Sequence, residues 1–132
     1  MTTTQTGDIT EQKFILKCLT NRIPISRPIG NNLPYDFIIE KDNKLLKIQV
    51  KTGYQLTDNS IFTFNTQSSS KNYSEIIGHD YIGKIDFFAA YCVCLDVFVF
   101  VSIEQAKKGS MNIYYGDSPK KNQNYIKSFE TL

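Results

Sequence analysis

The chain has 132 residues, 41% hydrophobic and 21% charged, with a formal net charge of +2. This is the composition of one ordinary globular domain, long enough to bury about two-thirds of its unfolded surface, and it excludes a disordered or fibrous chain. So small a charge does not require a polyanionic partner, although lysines gathered on one surface would permit one.

Cys18, Cys92 and Cys94 are an odd number of cysteines and His79 is the single histidine, so neither a disulfide framework nor a zinc set of standard spacing is present. Cys92 and Cys94 fall on a predicted strand, where they are expected to point to opposite faces and not to bridge. The first residues lack a basic head followed by an apolar run, which predicts no signal peptide and a cytoplasmic location. Residues 85–101 are apolar but interrupted by Asp86 and Asp96, and read as two strands and not as a membrane span.

Residues 1–7 are polar and predicted to fray. A helix is expected from Asp8 to just before Pro24, with Asp8 and Glu11 at capping-box spacing. Glu11, Ile15, Cys18 and Arg22 recur at four, three and four residues and would share one face. Residues 23–34 contain three prolines and Gly30 and read as loop, with room for a short extended piece. Two alternating runs, 37–40 and 45–50, then flank Lys41-Asp42-Asn43-Lys44, a hairpin signal. With Asp42-Asn43 as the turn, paired positions sum to 85. Asp36 then faces Gln49, with Lys51 its diagonal neighbour, while Phe37, Ile39, Ile48 and Val50 form an apolar underside.

Residues 60–66 read as a third strand. Residues 67–73 are polar and 74–82 irregular or weakly helical. Residues 86–93 and 97–102 make a second hairpin, apolar on both faces as a covered strand pair is. A short helix is expected over 103–108, a last strand over 112–115, and then a loose basic tail containing Lys120, Lys121 and Lys127.

Helix, long loop, a hairpin carrying Pro34-Tyr35-Asp36 and Gln49-Val50-Lys51, a third strand and a buried hairpin: this order resembles the PD-(D/E)XK nuclease superfamily. Within it, residues 8–108 are similar to archaeal Holliday-junction resolvases and to homing endonucleases encoded in group I introns, most of all the cyanobacterial type, which also has glutamine in its second motif. The departure from the wider superfamily is Gln49, where an acid is usual. The resemblance implies an α/β (α+β) fold, a PD-(D/E)XK restriction-endonuclease-like core with a central mixed β-sheet flanked by helices. It implies a sequence-specific DNA endonuclease that uses Mg²⁺, with Mn²⁺ able to substitute.

Asp36 would be the central metal ligand, completed by the Gln49 side-chain oxygen and the Val50 backbone carbonyl. Glu11 would hold a second metal or orient a water. Lys51 would position or deprotonate the attacking water beside the phosphate. DNA contacts are expected from Lys47, Tyr54 and Gln55 around the open hairpin end. Asn65, Gln67, Ser69, Lys71, Asn72 and Tyr73 could reach base edges, and Lys107, Lys108, Lys120 and Lys121 could reach phosphates. Each of these has a plainer reading as capping, turn or solvated surface residue. One small domain spans a short site, so a homo-oligomer, dimer or tetramer, on a near-palindromic duplex is implied. A resolvase or restriction enzyme would share the same core chemistry. A DNA-binding module with a decayed nuclease core, marked by Gln49, is the alternative of another class.

Overall fold

The computed structural model describes residues 1–30, 32–56, 60–67, 81–118, 124–129 and 131. Helix α1 (Thr3–Thr20) is followed by β1 (Ile25–Ser26), β2 (Phe37–Lys41), β3 (Lys44–Gln55), β4 (Ile61–Asn65), β5 (Phe87–Cys92), β6 (Val97–Ser102) and β7 (Ser110–Tyr114), with a 3₁₀ turn at Ile126–Phe129. The sheet is mixed. β3 pairs in parallel with β5 and every other pairing is antiparallel.

β3 is the strand on which both halves of the molecule meet. Its start pairs with β2 and its middle with β5. Its last two residues, Tyr54 and Gln55, cross to β4. β4 and β7 then fold over the face of β5 and β6 that α1 leaves open. Two apolar layers result. Phe14 and Cys18 of α1 pack with Phe37, Ile39, Ile48, Val50, Ala89, Tyr91, Phe98 and Phe100. On the other side Phe62, Phe64, Met111 and Ile113 close against Phe88, Ala90, Val99 and Val101. Alternation along β5 supplies both layers, which is why that strand is apolar at every position. Gly53 marks the crossing: a Cβ there would stand 2.6 Å from a ring carbon of the fully buried Phe62.

The predicted hairpin register is the observed one, with Phe37 opposite Ile48 and Lys41 opposite Lys44. Asp42 (φ 54°) and Asn43 (φ 63°) are both left-handed, the requirement of a type I′ turn. The short extended piece in the proline-rich loop is β1, held on β2 through Ile25 and Ile39.

Several expectations are corrected. The helix begins at Thr3, because Thr2 and Gln5 form the capping box that the sequence reading gives to Asp8 and Glu11. Its buried stripe is Thr10, Phe14 and Cys18, with Glu11 and Ile15 half-buried beside it. Arg22 lies past the helix end, left-handed at φ 58° in a Schellman closure in which the Ile23 amide donates to the Cys18 carbonyl. Residues 103–108 form a turn and no helix: Ser102 caps them, its hydroxyl and carbonyl accepting from Gln105 and Ala106 before the chain runs on to Gly109. β4 and β7 form the layer over the face of the central strands opposite α1. The tail is not wholly loose, since Ile126 is buried and Tyr125 bridges Tyr114. Finally, Cys94 sits in the turn after β5, which brings its sulfur to 3.3 Å from that of Cys92. Both thiols are free. Among the described residues, no helix is long and apolar enough to cross a membrane.

Candidate active site

β2 stops pairing at Phe37, and the chain before it, Pro34-Tyr35-Asp36, peels from the edge of β3. Proline has no N–H to give a ladder, so the break falls where the sequence places it. The Asp36 amide still donates to the Ile48 carbonyl at 2.8 Å. Its carboxylate takes over from the ladder, with Oδ2 accepting the Val50 N–H at 2.8 Å. Within a strand residue, N–H and C=O point to the same edge. The Val50 carbonyl is thus directed to the Asp36 side, beyond the last β2 pair.

Three charged groups gather around this carboxylate. Burial lifts Asp36 above the usual carboxylate range, against the lowering effects of the Val50 amide, Lys51 and Arg27. Burial also raises Glu11 on α1, and the Asp36 charge raises it further, while Arg27 opposes and Asp8 adds. The repulsion between the two acids falls on Glu11, since Asp36 has an amide and an ammonium to support its ionised form. Lys51 is pushed below the usual ammonium range by burial, with Asp36 pulling the other way. Its Nζ donates to the Gln67 carbonyl and to the Tyr81 hydroxyl, each at 3.2 Å, and lies 5.2 Å from the centre of the Tyr81 ring.

Gln49 follows the pleat onto the Lys51 face, half-buried, and makes no side-chain hydrogen bond to another described residue. Glu11, Asp36, Gln49, the Val50 carbonyl and Lys51 are therefore brought to one end of the β2–β3 hairpin. α1 is fixed over β3 by Thr10, whose hydroxyl lies 2.7 Å from that of Thr52 and donates to the Thr6 carbonyl. With Thr2 and Gln5 closing the cap, Glu11 has no capping duty and is left to the site.

The other expected residues divide. Asn65 ends β4 and Gln67 lies just past it, the Thr66 amide and hydroxyl reach the Gly109 and Lys107 carbonyls, and Lys107 and Lys108 are exposed. Of these four, Gln67 touches Lys51, through its backbone carbonyl. Lys47, Tyr54 and Gln55 do not ring the hairpin's open end, because β3 continues as one 12-residue strand. Lys47 stays in the ladder opposite Ile38, its Nζ 5.6 Å from the Tyr35 ring centre, and Tyr54 and Gln55 lie beyond Lys51, paired with β4. Ser69, Lys71, Asn72, Tyr73, His79, Lys120 and Lys121 fall outside the described residues.

Two neighbours of the site were not singled out from sequence. Arg27 follows β1, with its guanidinium 5.2 Å from the Phe37 ring centre and its charge acting on both acids. Tyr81 is buried and reaches Lys51 from a distant stretch of chain. Neither belongs to a local motif, and tertiary packing alone places them.

Among the described residues, no three His, Cys, Asp or Glu side chains converge as a metal cluster. The two acids at this hairpin end, Glu11 and Asp36, are both desolvated, and the charge of Asp36 raises Glu11 further. A hard divalent cation bound there would relieve that repulsion, and carboxylate donors suit such an ion better than a softer metal.

No curated protein matches the chain significantly. Among solved structures it is similar to a bacterial homing endonuclease, I-Ssp6803I, with a TM-score of 0.74 and 21% identity over 97% of this chain and 86% of that one. That likeness establishes the fold. The PD-(D/E)XK endonuclease family, whose nucleases generally use divalent metal ions, matches residues 1–132. The chain belongs to the PD-(D/E)XK endonuclease family and is a DNA endonuclease of that type.

Proposed function

We propose that the protein is a sequence-specific, Mg²⁺-dependent endonuclease that makes a double-strand break in a near-palindromic DNA site, as an intron-encoded homing enzyme does. The observation that carries this reading is the Asp36 carboxylate docked on the Val50 amide, where β2 ends between Glu11 and Lys51. Asp36, the Gln49 side-chain oxygen, the Val50 carbonyl and Glu11 would hold the cation. When bound, Mg²⁺ supplies charge neutralisation at the phosphate and a more acidic water.

The protein's own part is positional and electrostatic. Asp36 keeps one oxygen on the Val50 amide and so presents the other in a fixed direction. Lys51 stands where negative charge grows on the phosphate oxygens as water adds to phosphorus and the P–O bond to the leaving sugar oxygen breaks. Its lowered proton affinity also suits it to accept a proton from the attacking water. Asn65, Gln67, Lys107 and Lys108 extend the site along the duplex, the amides towards base edges and the lysines towards phosphates. A homo-oligomer, dimer or tetramer, would bring two such sites to opposite strands.

Plasmid DNA carrying candidate sites, incubated with Mg²⁺ or with EDTA, tests this beside Lys51→Ala and Asp36→Asn. Discrete linear fragments that need metal and form far more slowly in both variants support the proposal. Binding without cutting, unchanged by either substitution, would mark a decayed binding module. Cutting confined to four-way junctions would make the enzyme a resolvase.

A further inference from the structure

Lys51 is held by more than its strand. Its ammonium sits on the face of β3 opposite α1, between two acceptors that come from different parts of the chain: the Gln67 carbonyl just past β4 and the Tyr81 hydroxyl just before β5. The Tyr81 ring lies beneath the charge at 5.2 Å and stands edge-on to Phe88, with centroids 5.3 Å apart at 89°. Phe88 is fully buried on β5. The Tyr81 backbone is fixed as well, since its carbonyl accepts the Lys84 and Ile85 amides at 2.9 and 3.2 Å. Nothing in the packing of Phe88 requires a hydroxyl on this ring. A phenylalanine would fill the same space, and the oxygen is useful only to polar neighbours such as the ammonium.

We propose that Tyr81 is a positioning residue for Lys51, its hydroxyl and ring together fixing the ammonium next to Asp36 where the scissile phosphate would lie. The inference rests on the nuclease reading and deepens it. A lysine side chain has four rotatable bonds, and left on its own it would sample many directions. Held between an oxygen and an aromatic face, it is already ordered before substrate arrives, and ordering that precedes binding lowers the barrier to chemistry. The contact that joins Tyr81 to the site is the one to Lys51.

Tyr81→Phe isolates the hydroxyl, because the ring, the Phe88 contact and the aromatic face under the charge all remain. With Mg²⁺ and saturating site-bearing DNA, the expected result is cleavage slowed about tenfold, with KM moved less than about twofold. Its melting temperature should stay close to that of the parent. In a Lys51→Ala background, followed through its residual cutting, the same change should cost less than about twofold more, because its target is gone. A second readout needs no cleavage: reductive methylation of Lys51, followed by mass spectrometry against exposed Lys84, should run about threefold faster in Tyr81→Phe, as loss of one hydrogen bond of modest net strength allows. An unchanged methylation ratio, a loss confined to KM, or a penalty that multiplies undiminished on Lys51→Ala would overturn the proposal. If the parent cuts no DNA, the nuclease reading fails alone, and the methylation ratio still decides whether Tyr81 orders Lys51.

Discussion

β3 carries a helix on one face and a second sheet on the other, and the two coverings treat their charged groups differently. On the helix side, Glu11 enters from a rigid element and meets Asp36 at the strand edge, so like charges are pressed together in a desolvated place. On the sheet side, Lys51 donates to two acceptors beside an aromatic ring, and among the described residues Asp36 is the opposing charge that acts on it. One side stores electrostatic tension that a cation relieves. The other supplies a cation of its own, already oriented. Under the proposed function, a single hairpin end would offer both carboxylates for a cation and an ammonium, because Asp36 acts on Glu11 from the helix and on Lys51 from the strand.

The sharpest way to break this contrast is to remove one member from each side. Lys51→Ala and Asp36→Asn are each expected to slow metal-dependent plasmid cleavage by on the order of 10³-fold. Retention of more than about a tenth of the parent rate in either would end the two-sided account. Glu11→Gln should cost less, roughly 10- to 100-fold, and part of the loss should return at higher Mg²⁺ concentration, which would be read in a metal titration of the cleavage rate. Lys51→Ala should show no such recovery, and that difference separates the helix side from the sheet side.

Stability provides a second line. A Cβ at Gly53 has no room against Phe62, so Gly53→Ala should lower unfolding free energy by about 1–3 kcal/mol in a denaturant titration. The acids act with the opposite sign. Burial holds Asp36 and Glu11 protonated to higher pH in the fold than in the unfolded chain, so their contribution to stability is present at acid pH and lost as pH rises through the raised values. Asp36→Asn should therefore melt above the parent at about pH 7 in EDTA, with the gap closing towards pH 4, while its activity is gone. A gap that persists at acid pH would assign the gain to something other than ionisation. The smallest expected effect concerns the tether between α1 and β3. Thr10→Val leaves the Thr52 hydroxyl without its partner and should cost about 1–2 kcal/mol, and the double change with Thr52→Val should cost less than the single one.

How much of this could be read in the residues follows from how local each cause is. The hairpin register was legible because a two-residue turn with both φ angles positive leaves one pairing, and Asp42-Asn43 suits it. The meeting of Asp36, Gln49 and Lys51 followed from that register. The helix start was misjudged because Thr2-Gln5 and Asp8-Glu11 carry the same capping spacing, and the earlier pair claims the N-terminus even with Gly7 inside the first turns. The turn at 103–105 looked helical until Ser102 and Gln105 closed it with side-chain hydrogen bonds, a competition that periodicity does not display. Arg27 and Tyr81 were beyond reach for a different reason: each arrives at the site through packing between segments far apart in the chain.

The length of β3 before the site has a consequence for what changes the chain can tolerate. Because neighbouring residues of a strand look in opposite directions, the path from the Asp42-Asn43 turn to Lys51 is counted in parity. Two residues added between Lys44 and Gln49 would lengthen the arm and leave every group on its own side. A single added residue would turn Lys51 towards α1 and Val50 towards Tyr81, exchanging ammonium for methyl groups with no change in composition worth noticing.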